Sequence, residues 1–260
     1  MEQVVFRGHN GQYPVLVTDA GPLRSLSFGT EERQSCIDLA SPHTLQLAYT
    51  QWMITALTLP PCPRNFLVIG LGGGALPHFL LHHHPEARID VVEKDRLVIA
   101  LAHGYFRLPH HPALRIVHRD ALSFLRDDHG CGYNVAFLDI FGPGCMAPAL
   151  FDSALYSLLL ERLSPEGVLA VNLWSGDKPL YHQALRAADE ACGGQLLQMQ
   201  VKKRSNVILL LFPGEIPHRA IKHAQKQSAE LRKRYGLDFS LYLKRLRRTN
   251  RLSLLSTLFD

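Results

Sequence analysis

No stretch of this sequence is apolar for long enough to cross a membrane, and its first 30 residues lack a signal-peptide pattern. A cytoplasmic protein with no membrane partner is therefore expected. Cysteine is scarce. Cys36, Cys62, Cys131, Cys145 and Cys192 are scattered, odd in number and without a CxxC, which excludes a disulfide scaffold and points to reduced thiols. Internal repeats, low-complexity tracts and a GxSxG nucleophile motif are also missing. Histidine is plentiful, with His78 and His82 four residues apart and a run from His82 to His84. No carboxylate or cysteine stands at ligand spacing from them, so a solvated helix face is expected and no metal site.

What is present is a globular composition, 47% hydrophobic and 20% charged over 260 residues, enough for one α/β domain with a small appendage. Charge is uneven. Residues 215–260 carry 11 Lys+Arg against 4 Asp+Glu, a net +7, so the first 214 residues hold −2 of the total +5.

The chain is organised around Asn65–Glu93. The apolar run Phe66–Ile69 stops at Gly70-Leu71-Gly72-Gly73-Gly74, a helical pattern follows, and a second apolar run, Ile89–Val92, ends on Glu93. Glycines let the backbone approach a ligand, and the helix start adds free N–H groups. An acid about 20 residues beyond the turn can accept from both hydroxyls of a ribose. Turn, βαβ context and terminal acid together point to an adenosine-containing ligand held by Gly70, Gly72, Gly73, Gly74 and Glu93.

Short strands around Val15–Val17 and Leu26–Phe28 predict a small N-terminal β hairpin or sheet. Ser41-Pro42 is expected to open a helix, Ser as N-cap and Pro at the first helical position, ending at Pro60-Pro61-Cys62-Pro63. Three units follow from this: residues 1–60, a nucleoside-binding Rossmann-like domain over 61–214, and a basic helical tail over 215–260. After Glu93, a helix over 95–106 precedes a third strand, Arg115–His118, with Asp120-Ala121 at once behind it. Strand four, Tyr133–Leu138, ends on Asp139. Helix 151–163 turns through Ser164-Pro165-Glu166-Gly167 into strand five, Val168–Leu173. Helix Pro179–Cys192 leads to strand six, Leu196–Val201. Only Lys202–Ser205 separate that strand from strand seven, Val207–Phe212, so the last two strands must be antiparallel. A mostly parallel sheet ending in a hairpin is the layout of class I S-adenosylmethionine-type transferases, whereas dinucleotide dehydrogenases continue in parallel.

Three acids therefore fall at strand tips, the edge where open α/β sheets bind ligands. Asp120 can cap the following helix, or accept from an adenine amino group while the Ala121 N–H donates to the ring; both can hold at once. Asp139 is the candidate catalytic residue, a base or an orienting group beside the reacting centre. Tyr49, Trp52 and Trp174 read as core or pocket wall. The tail, His218–Arg251, reads as two basic amphipathic helices divided at Gly236, a solvated face first and a weak nucleic-acid surface second.

Over about residues 10–212 the sequence resembles the spermidine synthase-like family. VIGLGGGALP, VVEKD, HRDA and YNVAFLDIFGPG stand where polyamine synthases carry their glycine motif, ribose acid, adenine-contacting Asp and catalytic-loop strand. The resemblance implies that Gln34 contacts the donor. It also marks two departures. The family's aminopropyltransferases hold the donor's ammonium with an acid where this chain has Gly73, and carry a second catalytic-loop acid where it has Gly142. Burying a cationic diamine without carboxylates is costly, and residues 140–151 contain no acid. The expected activity is methyl transfer from S-adenosylmethionine to an acceptor the sequence does not identify. The alternatives are aminopropyl transfer from decarboxylated S-adenosylmethionine to a polyamine, and a non-catalytic nucleoside-binding protein. A small-molecule donor nucleoside is the expected partner; a homodimer and a nucleic acid on the tail stay open.

Overall fold

The computed structural model describes residues 2–30, 33–127 and 132–252. Cys131 lies outside them; Cys36, Cys62, Cys145 and Cys192 are free thiols. Strands β1 (Gln3–His9), β2 (Pro14–Ala20), β3 (Leu23–Ser27) and β4 (Arg33–Asp38) form an antiparallel N-terminal sheet in chain order. The expected helix at Ser41-Pro42 is not there. Thr44 N–H donates to the Ser41 carbonyl at 2.9 Å, so Pro42 sits inside a tight turn instead of at a helix start. Helix α1 begins only at Ala48 and runs to Met53, with uncapped Leu47 before it, and a 3-10 turn (Ile54–Thr58) completes the segment.

The main sheet contains β5 (Asn65–Ile69), β6 (Arg88–Glu93), β7 (Leu114–His118) and β8 (Tyr133–Leu138). A two-residue hairpin, β9 (Phe141–Gly142) with β10 (Cys145–Met146), lies beyond β8. Strands β11 (Leu163–Trp174), β12 (Leu196–Gln200) and β13 (Asn206–Leu211) complete the sheet, in the order β12-β13-β11-β8-β5-β6-β7. Every pairing from β11 to β7 is parallel, and β13 is antiparallel to both neighbours, to β12 as their short connection, residues 201–205, requires. Residues 164–167 are drawn into β11 as an irregularity against β8 and are not a turn before it.

Alternation along the buried strands sends successive side chains to opposite faces. Phe66, Val68, Val91 and Phe137 enter one apolar cluster, while Leu67, Ile69, Val92 and Leu138 enter the other. Helices α4 (Ala121–Asp127), α5 (Ser153–Glu161) and α6 (Lys178–Cys192) cover the second face. Helices α1, α2 (Ala75–His83) and α3 (Arg96–Gly104) cover the first.

The basic tail completes that first face. It is three helices, α7 (His218–Lys226), α8 (Ser228–Tyr235) and α9 (Phe239–Thr249), where the sequence predicts two. Gly236 ends α8 in the left-handed region, while the extra break at Gln227 has neither Gly nor Pro to announce it. Tyr235, Phe239, Tyr242, Leu243 and Leu246 recur at helical spacing and are buried in the first cluster. The histidines of α2 are drawn in with them, which overturns the expectation of a solvated face. His78 is buried and bonds the Phe106 carbonyl oxygen at 2.9 Å, and buried His84 meets the Tyr235 hydroxyl at 3.1 Å; His83 is half-buried and His82 exposed. Among the described residues no group of three or more His, Cys, Asp or Glu could hold a metal ion, and no helix is long and apolar enough to cross a membrane.

Candidate functional site

Parallel register aligns the strand tips. Ile69 pairs with Val92 and Leu138, and Glu93 pairs with His118, so the residues immediately beyond converge at one edge. A cavity of about 270 Å³ opens there, roofed by the N-terminal sheet and α1. Gln34, Gly70, Gly72, Glu93, Asp120, Ala121 and Asp139 all line it. Gly73 and Gly74 do not; they stand behind the wall at the start of α2.

Two glycines are required for different reasons. Gly70 has φ +94°, and a Cβ there would collide with the carbonyl oxygen of Asp139. Gly73 has no left-handed angle. A Cβ on it would lie 2.7 Å from the ring of Phe106, which is wholly buried, and 3.0 Å from the Ser35 hydroxyl. The N–H groups of Gly72 and Gly73 have no hydrogen-bond partner among the described residues.

Glu93 is held in place by the backbone. Its Oε2 accepts from Leu71 N–H and its Oε1 from Asp95 N–H, each at 2.9 Å. Burial pushes its carboxyl above the usual range, and those two donors oppose the shift. Each oxygen keeps a further lone pair for a ligand hydroxyl. Asp120 caps α4 through Oδ1, accepting from Leu122 and Ser123 N–H at 3.0 and 3.2 Å, and still lines the cavity, so the capping role and the wall position coexist.

Asp139 sits half-buried at the tip of β8, and burial raises its carboxyl above the ordinary range. The Asn172 amide donates to Oδ1 at 2.9 Å, and both it and the nearby Tyr49 hydroxyl favour the ionised form. Tyr49 also reaches the Gln34 carbonyl oxygen at 3.2 Å, and burial beside Asp139 lifts its own pKa well above the usual value, so it remains a neutral donor. Asn172 in turn accepts from Asn206 Nδ2 at 3.0 Å. Asn172 escapes the sequence reading, since nothing in its apolar run marks it. A buried amide inside a core strand is the one available signal.

A second cavity of about 480 Å³ adjoins the first, sharing Gln34, Leu47, Tyr49 and Phe141 with it. Its remaining wall comes from β4, α1, the β9–β10 hairpin and the ends of β11 and β13. Sequence pattern alone brings none of these elements together.

Comparison with known proteins places this architecture. The spermine/spermidine synthase domain matches residues 48–208. A polyamine aminopropyltransferase of Chromobacterium violaceum is 30% identical over 237 residues, 91% of this chain and 90% of that one. The eEF1A lysine and N-terminal methyltransferase of Homo sapiens is 31% identical over 134 residues, 47% of this chain but 19% of that protein. Among solved structures, a spermidine synthase in complex with the transition-state analogue AdoDATO superposes with a TM-score of 0.73 at 16% identity, over 96% of this chain and 89% of that one.

Proposed function

The chain belongs to the spermine/spermidine synthase domain family, and from that premise we propose that it is a class I transferase moving a methyl group from S-adenosylmethionine to a small acceptor. The observation that carries the choice of group is Phe106 behind Gly73. Where the resembling aminopropyltransferases place an acid for the donor's ammonium, this chain has no side chain, and the space a Cβ would need is filled by a buried ring. An acid there would attract the ammonium of either donor but repel the carboxylate that S-adenosylmethionine alone carries. Its absence, with the Gly72 N–H on the cavity wall lacking a hydrogen-bond partner among the described residues, favours the carboxylate-bearing donor.

The roles follow from position. Glu93 holds the ribose hydroxyls, Asp120 and the Ala121 N–H the adenine, and Gln34 borders the reactive end. The donor supplies an electrophilic carbon on a sulfonium. A nucleophile on the acceptor takes that carbon as its bond to sulfur breaks, and Asp139 orients the nucleophile or accepts its proton.

Aminopropyl transfer is the second reading, favoured by 30% identity to an aminopropyltransferase across almost the whole chain. Competition calorimetry with S-adenosylhomocysteine, S-adenosylmethionine and decarboxylated S-adenosylmethionine separates the two. The carboxylate-bearing compounds are expected to bind at least as tightly; a clear preference for the decarboxylated donor would establish aminopropyl transfer instead.

A further inference from the structure

The second cavity has a charge that a polyamine site would not have. Its described lining includes two guanidinium groups, Arg33 and Arg204, the amides Gln46, Asn172 and Asn206, and no Asp or Glu. The arginines come from separate parts of the fold. Arg33 opens β4 of the N-terminal sheet, and Arg204 lies in the turn between β12 and β13. That turn is braced: the Gln200 amide donates to the carbonyl oxygens of Arg204 and Asn206 at 2.7 and 3.1 Å. Arg33 has a distant, exposed pairing with Glu2 at 3.9 Å, and Arg204 has no ion pair among the described residues. Among the described residues neither cation has a carboxylate within 3.5 Å.

We propose that this cavity is the acceptor site, and that the acceptor is a small molecule bearing an anionic group, a carboxylate or a phosphate, held by Arg33 and Arg204. This rests on the transferase reading above and gives its acceptor a chemical class. The anion sits at the arginine end, and the nucleophile points across the Tyr49–Phe141 border toward Asp139, which Asn172 links to both cavities. Guanidinium forks suit planar oxyanions, and the neighbouring amides can satisfy oxygens the arginines leave free. A diamine would meet two cations and find no carboxylate among the described residues of the cavity wall. Asp139 lines the donor cavity and reaches the second only through its hydrogen bond from Asn172.

The test uses the full chain with S-adenosylhomocysteine present, and succinate, inorganic phosphate and putrescine as probes in separate calorimetric titrations. One or both anions are expected to bind, the stronger identifying carboxylate or phosphate as the preferred group, while putrescine gives no heat. The Arg33→Gln/Arg204→Gln variant should weaken anion binding at least tenfold. The Lys202→Gln/Lys203→Gln variant, which removes nearby charge outside the cavity wall, should bind as the wild type does. Putrescine binding, anion binding indifferent to the arginines, or no anion binding by a folded wild-type chain each overturns the proposal. The donor reading fails separately: if S-adenosylhomocysteine gives no heat while the anions still bind through Arg33 and Arg204, the anion site stands and the transferase assignment falls.

Discussion

Asn172 donates its side-chain amide to Oδ1 of Asp139 across 2.9 Å, joining the end of β11 to the tip of β8. A neutral donor to a carboxylate stabilises the ionised form, and here it opposes the burial that raises the pKa of Asp139. Removing it in Asn172→Ala should raise that pKa further. Carboxyl-detected NMR titration of the wild type and the variant reads this without an acceptor. An unchanged midpoint would show that Tyr49 alone sustains the charge. In a turnover assay the acid limb of the pH profile should move upward in the same variant, because Asp139 must be ionised to accept a proton. Asp139→Asn should retain donor binding and lose turnover; undiminished turnover would make Asp139 structural.

Glu93 anchors the nucleoside reading. Glu93→Ala should weaken S-adenosylhomocysteine binding by ~1.5–3 kcal/mol, the range for charge-assisted hydrogen bonds. The substitution also strips the Leu71 and Asp95 N–H groups of their acceptor, so Glu93→Gln, which keeps one oxygen, is the companion variant. Calorimetry on folded protein decides, and an affinity unchanged in both variants would remove Glu93 from the site.

Donor choice depends on Gly73 and the ring behind it. Two unit charges about 4 Å apart interact by ~4 kcal/mol at an effective dielectric of 20, so one introduced carboxylate can reverse a preference. Gly73→Asp alone forces its Cβ against Phe106 and should unfold more readily. Paired with Phe106→Ala, the new acid has room, and the double variant should favour the decarboxylated donor relative to Phe106→Ala alone. Identical donor ratios in those two variants would show that position 73 does not select.

The tail is pH-sensitive through His84. Burial drives its pKa from the usual 6.5 to about 4, with Arg234 nearby adding to the shift, so folding requires the neutral ring. In the unfolded chain the ring protonates near 6.5, so this contribution is complete above that pH. It is lost progressively between about 6.5 and 4 and is constant below, a change on the order of 3 kcal/mol. Nε2 of the ring lies 3.1 Å from the Tyr235 hydroxyl, inside the core that the tail closes, where a charged imidazolium is disfavoured. Urea midpoints at pH 7 and 4.5 should differ less in His84→Asn than in the wild type; an equal difference in both would place the sensitivity elsewhere.

Truncation after Phe212 would remove Phe239, Tyr242, Leu243 and Leu246 from the core and should cost folding itself. Charge substitution at Arg247 and Arg248 is therefore the better test of polyanion binding. Salt-sensitive retention of RNA by the full chain, lost in that variant, would identify a nucleic-acid surface.

Local chemistry sufficed for much of this molecule. Apolar runs in Phe66–Ile69 and Tyr133–Leu138, a glycine turn and a short connection dictate buried strands, a close backbone turn and a final hairpin. Those are constraints between residues near one another in the chain, and they place Glu93, Asp120 and Asp139 at one edge before any coordinates are known. Ser41-Pro42 shows the limit of such reasoning, because a helix-start signal and a tight turn share the same residues, and packing of Trp52 and Met53 against the core selects where α1 begins. Long-range relations were decided by the tertiary structure alone. Phe106 filling the space beside Gly73, His84 meeting Tyr235 across 151 residues of chain, and Arg33 and Arg204 converging on one cavity join segments with no common periodicity. Sequence pattern records which face a residue presents; which distant side chain comes to occupy the space opposite is settled only when the layers close.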